Sequence, residues 1–203
     1  AAQNGHVQIV QTLLTRDEID VNKQMKDGRT PLIMASYHGQ MEIVSLLLSQ
    51  PNIQLNQSGC GKSALGWATQ NNHTEVVQLL TEAGAEYSIL DAVGCNNVAL
   101  VQQCLNKDDC DVNQVNAHGC TALYMAAQKG HVEIVQTLLT RDDIDVNKPQ
   151  KDGCTPLYMA AQNGHVQIVQ TLLTRDDIDV NKPQKDGCTP LYMAAQNGHV
   201  QIV

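Results

Sequence analysis

The sequence has no phenylalanine, a single tryptophan and only 3% aromatic residues. Its core must therefore be built from Leu, Ile, Val, Ala and Met, which suits thin packing between helices. Long apolar runs are missing too, and a membrane-spanning helix needs about 18 to 20 consecutive apolar residues. Basic charge is short: 13 Lys and Arg stand against 21 Asp and Glu, for a formal net charge of −8. That balance argues against a nucleic-acid or anionic-membrane surface, since both reward Lys and Arg. None of the seven Cys residues forms a CxxC pair, and seven is odd, so a disulfide scaffold is not expected. The reading is a reduced, intracellular protein, cytoplasmic with the nucleus as alternative. No secretory signal is visible, and because the sequence starts at Ala1 without Met, a true N-terminus beyond it is an expectation.

What is present is a repeat, and its period organises the chain. The segment from Asp152 to Val169, DGCTPLYMAAQNGHVQIV, recurs letter for letter from Asp186 to Val203, an offset of 34. Gly28, Gly61, Gly119, Gly153 and Gly187 mark the same turn, with steps of 33, 58, 34 and 34. The long step hides a degenerate unit, SILDAVGCNNVALVQQCL, from Ser88 to Leu105.

Each unit reads physically as two short helices and an extended segment. Thr155 can cap a helix with its hydroxyl, and Pro156 follows at the first helical position, where a missing N–H costs nothing. The helix runs through Leu157, Met159, Ala160 and Ala161 and stops at Gly164, which accepts a left-handed backbone. Where that glycine is replaced, Asn72 and Asn96 stand in, the next most tolerant residue type. A second helix puts Ile168, Val169, Leu172 and Leu173 on one face, as do Ile9, Val10, Leu13 and Leu14, and Ile43, Val44, Leu47 and Leu48. The stretch DDIDVNKPQKDG that follows is rich in turn formers and reads as an extended loop. Such a unit buries too little to stand alone, so stacking on its neighbours must supply the rest.

These residues resemble the ankyrin repeat. TPLYMAAQNGHVQIVQTLL is close to the family pattern TPLHxAAxxGHxxIVxxLL, and the resemblance covers essentially the whole chain. It implies an all-α solenoid of stacked helix-turn-helix units with short β-hairpin fingers. The units are a single array over 1–203, at about 1–26 (partial), 27–59, 60–84, 85–117 (degenerate), 118–151, 152–185 and 186–203 (partial). Both ends cut through a unit, so a fragment of a longer array is expected. Three departures stand out: Tyr124, Tyr158, Tyr192 or Ile33 replace the family His; Arg175-Asp176-Asp177 replaces Gly-Ala and lengthens the period; and the finger at 84–93 is deleted. A junction at 84–88 follows, within one kinked stack or between two sub-arrays.

Several chemistries are suggested and then discounted. NQSGCGKS, Asn56 to Ser63, ends like a phosphate-binding loop, but Asn56 stands where the first glycine is required, and Gly61 and Ser63 already serve as turn and cap. His6, His131, His165 and His199 recur one per unit, yet stacked helices lie about 8–10 Å apart and zinc ligands sit about 2 Å from one ion. Cys120, Cys154 and Cys188 are likewise spaced beyond the roughly 7 Å limit of a disulfide. The acidic turns, such as Asp142-Asp143-Ile144-Asp145, form a ladder and do not converge as calcium requires. No catalytic constellation stands outside the repeat, so no enzyme activity, cofactor, metal or small-molecule substrate is expected.

The resemblance implies binding of another protein through finger tips and the groove of the first helices. In the second unit those positions are Asp27, Arg29, Tyr37, His38 and Gln50; in the third, Lys62, Gln70 and Asn71. In the fifth they are His118, Cys120, Gln128, Lys129 and Arg141; in the sixth, Asp152, Cys154, Gln162, Asn163 and Arg175. The divergent units, and Arg29, Tyr37 and His38 above all, are expected to set specificity, whereas Trp67 falls at an inner position and reads as core. The function read here is a non-catalytic interaction module or scaffold. The alternatives are the targeting arm of a larger enzyme, a kinase or ubiquitin ligase, or of a secreted effector.

Overall fold

The computed structural model describes all 203 residues, Ala1–Val203. They divide into two compact units, Ala1–Cys95 and Asn96–Val203. The first holds a 3-10 turn at Ala2–Asn4, α1 (Val7–Leu14), α2 (Pro31–Tyr37), α3 (Met41–Leu48), a two-stranded hairpin of β1 (Ser58–Gly59) and β2 (Lys62–Ser63), α4 (Ala64–Gln70), α5 (Thr74–Glu82) and α6 (Ile89–Gly94). The second holds α7 (Val98–Leu105), α8 (Ala122–Lys129), α9 (Val132–Leu138), α10 (Pro156–Gln162), α11 (Val166–Leu172) and α12 (Pro190–Gln196). No helix is long and apolar enough to cross a membrane.

Each first helix begins on a side-chain cap, as the sequence pattern requires. Thr30, Ser63, Ser88, Thr121, Thr155 and Thr189 accept from the amide three residues on, at 3.1–3.3 Å, and proline opens α2, α10 and α12. These caps satisfy donors that a helix start otherwise leaves unpaired. At the other end the chain turns through a left-handed residue: Gly164 at φ +74°, with Asn72 and Asn96 at +58° and +53° in the same role. The glycine has a second task. A Cβ on Gly164 would lie 2.7 Å from the ring of His199, whose Nε2 is 3.0 Å from the carbonyl of Gln162. His73 and His165 bond Tyr37 O and Gln128 O in the same way, so the recurring histidine fastens a turn to the one before it.

The second helices bury most of the apolar face read from the sequence: Ile43, Val44 and Leu47 in α3, Ile134, Val135 and Leu138 in α9, Ile168, Val169 and Leu172 in α11. Leu173 stays exposed, and α1 buries only Val10 while Ile9 and Leu13 face outward, because no helix packs over that side of α1. First helices bury Leu32, Leu65, Leu123 and Leu157 against them. An asparagine then links successive loops. Asn147 donates to Asp177 O at 2.6 Å and accepts from the Asp179 amide at 2.8 Å, and Asn113 and Asn22 do the same for the turns after theirs. Both ends of the amide are used, which satisfies loop backbone that no helix can.

Between α5 and α6, residues 83–88 run without a hairpin. A buried carboxylate compensates. Asp91, on α6, accepts from the Ser63 amide at 2.6 Å, the Ser63 hydroxyl at 2.9 Å, and the amide and hydroxyl of Ser88 at 3.0 and 2.9 Å. One carboxylate thus orients the caps of both α4 and α6, its two oxygens taking four donors away from water.

Candidate partner-binding surface

In the first unit, the hairpin turn at Met25–Arg29 and the first helices α2 and α4 bring one exposed group together. The turn closes with the Met25 amide on Arg29 O at 2.9 Å. Asp27 and Arg29 then pair: Nε meets Oδ2 at 2.8 Å, Nη2 meets Oδ2 at 2.6 Å, and the Arg29 amide meets Oδ1 at 3.2 Å. The guanidinium hydrogen bond holds the Asp27 carboxyl below its usual range. Beside them, Tyr37 is 38% exposed at the end of α2. Its ring meets His38 at 4.8 Å and Trp67 of α4 at 5.1 Å, both edge to face, the arrangement that aromatic quadrupoles favour.

Trp67 is the residue that sequence reasoning left in the core. It is only half-buried, because its indole N–H must reach Gly59 O, at 3.0 Å, on the finger side of α4. Spacing points the other way: Trp67 falls four residues after the cap Ser63, as the buried Met34 does after Thr30, so its exposure is set by the bond to Gly59. Lys62 goes the other way. It is 4% exposed, its ammonium lies 4.5 Å over the Trp67 ring and bonds Gln70 Oε1, and its chain fills the room that Gly94 leaves without a side chain. The ammonium is thereby the support of the aromatic surface rather than part of its exposed rim. Gln70 is exposed, Asn71 spends its amide on Tyr37 O at 2.8 Å, and Gln50 reaches back to Leu46 O at 3.2 Å, apart from this group.

The second unit presents a repeated, mostly polar surface. Cys120 and Cys154 stand half-buried one residue before a helix cap; Gln128, Lys129 and Asn163 are exposed, and Gln162 is half-exposed at helix ends. Asn163 donates to Gln128 O at 3.1 Å. His118 and Asp152 are exposed at finger tips. Burial raises the Cys120 and Cys154 thiols above their ordinary value, so neither is poised as a thiolate. Arg141 and Arg175 lie at the second-helix ends, and their guanidinium groups are engaged. Arg141 spans Asp143 with two bonds of 2.8 Å and caps Leu105 O at 2.9 Å, and Arg175 spans Asp177 at 3.0 and 3.1 Å. No group of three or more His, Cys, Asp or Glu residues is placed to hold a metal ion.

The sequence model of ankyrin repeats, in three copies, matches residues 1–91, 89–150 and 143–203. Among curated relatives, the ankyrin repeat and SAM domain-containing protein 6 of Rattus norvegicus is 31% identical over 121 residues, covering 59% of this chain and 14% of its own length. E3 ubiquitin-protein ligase XBAT33 of Arabidopsis thaliana is 32% identical over 136 residues, 64% of this chain and 26% of that one. The putative ankyrin repeat protein YahD of Escherichia coli is 37% identical over 90 residues, 42% of this chain and 45% of the relative. The chain therefore spans about a quarter or less of the first two relatives.

Proposed function

The chain belongs to the ankyrin-repeat family, and from that premise we propose that it binds a partner protein through its finger tips and first-helix groove. The observation that carries this reading is the aromatic group of Tyr37, His38 and Trp67 beside Arg29. Tyr, Trp and Arg are the side chains that contribute most when an interface covers them, and nothing chemical is assembled around them. The second unit adds Cys120, Gln128, Lys129, Asp152, Cys154, Gln162 and Asn163 as a repetitive surface of lower specificity. None of the seven cysteines is in a disulfide, which fits a reducing, intracellular setting.

A second reading has its own support. Relatives named as E3 ubiquitin-protein ligases and as a palmitoyltransferase match this chain over 20–29% of their lengths. On that reading the array is the targeting arm of a larger enzyme. The same surface does the binding in both.

The test is affinity capture with the chain and with an Arg29→Ala/Tyr37→Ala variant, both side chains being at the surface. Loss of specific partners from the variant supports the site. Equal recovery of the same proteins by both sinks it.

A further inference from the structure

Charge in the first unit is sorted by layer. The second helices carry Glu42, Glu75 and Glu82 and no Lys or Arg. Glu86 lies in the connection after α5, and Asp17, Glu18 and Asp20 follow α1, where Arg16 pairs with Glu18. The two fingers reverse this balance: Lys23, Lys26 and Arg29 stand at the surface with Asp27 as the one carboxylate, and Lys62 lies buried behind them. Asp27 is already spent, since both of its oxygens face Arg29. Arg29 is not, because its Nε and Nη2 meet Asp27 while Nη1 has no hydrogen bond. Lys26 is exposed at the tip of the same turn. In a chain of net charge −8, this finger-and-groove layer is the positive one.

Resting on the reading above, we propose that this face takes an acidic peptide segment of a partner, one that carries an aromatic or large aliphatic anchor. The anchor lies against the rings of Tyr37 and Trp67, where one Trp67 face is already covered by Lys62 and therefore offers no seat to a second cation. Carboxylates flanking the anchor meet Lys26 and the remaining donors of Arg29, which match a carboxylate's geometry. The acidic loop after α1 and the glutamates of α3 and α5 repel the same peptide from those faces, so charge sets register as well as attraction.

The test is selection from a random peptide display library on the 203-residue protein, on Lys26→Glu/Arg29→Glu and on Tyr37→Ala, with circular dichroism to establish that each is folded. The proposal expects Asp and Glu enriched next to Trp, Phe, Tyr or Leu. It expects those peptides to weaken about tenfold or more on the charge-reversed protein, the effect of losing paired charges at an interface, and their binding to fall with salt. Peptides with neutral or basic flanks, or acidic peptides that bind the reversed protein equally well, overturn it. If peptides lose binding on Tyr37→Ala yet carry no acid, the charge inference fails and the groove reading stands. If they bind Tyr37→Ala unchanged, or if none is selected, both fail.

Discussion

A β-carbon placed on Gly66 would collide with Oδ1 of Asp91. The carboxylate of α6 thus occupies the side-chain space that α4 leaves empty, and from there it reaches Ser63. The two positions are the third after a cap in successive repeats, where Tyr124 and Tyr158 stand in the second unit.

Gly66→Ala is expected to displace Asp91 and destabilise the chain by about 2–4 kcal/mol in urea melts, the range for stranding a buried polar group and several of its donors. Asp91→Ala should cost a similar amount. In the Asp91→Ala background the alanine at 66 no longer has a carboxylate to strike, so the two effects should not add. Strict additivity would show that the two residues are uncoupled.

Asn147 links two loops with both ends of its amide, whereas Asn181 is exposed and no hydrogen bond uses its side chain. Asn147→Ala should cost about 1–2 kcal/mol, and Asn181→Ala should lie within about 0.5 kcal/mol of the parent. Equal costs at the two sites would contradict the linking role.

Burial raises the Tyr124 and Tyr158 phenols and the Cys110, Cys120 and Cys154 thiols. A raised folded-state value means the fold binds these protons more tightly than the unfolded chain does. Their contribution is therefore complete below the unfolded values, about 8.5 for Cys and about 10 for Tyr, and is lost as pH rises through the folded ones. The urea midpoint should fall between about pH 7.5 and about pH 10.5. Iodoacetamide at neutral pH should label these cysteines more slowly than in the unfolded chain; equal rates would place the thiols in water.

Arg141 and Arg175 hold Asp143 and Asp177 below the ordinary carboxylate range, the side-chain hydrogen bonds being the main cause. Here the folded values are depressed, so the contribution is present above the unfolded value of about 3.9 and is lost as pH falls through the folded ones. Thermal midpoints measured down to about pH 2.5 should show this loss, with a flatter acid limb in Asp143→Asn/Asp177→Asn. An unchanged acid limb would count against it. Because the pairs are exposed, added salt should shrink the difference.

The repeating parts of the fold were legible because they depend on neighbours in sequence. Thr155, Pro156 and Gly164 act within one helix, and Asn72 and Asn96 betray their backbone by being asparagine where glycine is the rule. The aromatic pair was half legible: Tyr37 was placed at the surface, but Trp67 was assigned inward from its place on the helix, and its tie to Gly59 is a contact between finger and helix that position alone does not carry. Lys62 was read as a tip residue. Its burial depends on Gly94, and Asp91 depends on Ser63, each about 30 residues away, so both needed the stacking itself.

The bonds from His165 to Gln128 and from Asn147 to Asp177 cross 37 and 30 residues, about one repeat and no further. Under tension, such a stack gives way one link at a time. Releasing a 34-residue repeat lengthens the chain by roughly 110 Å when fully extended. In the second unit, where successive repeats are nearly the same in sequence, the force for each step should be nearly the same, so the unit would act as an extensible tether with evenly spaced yield points.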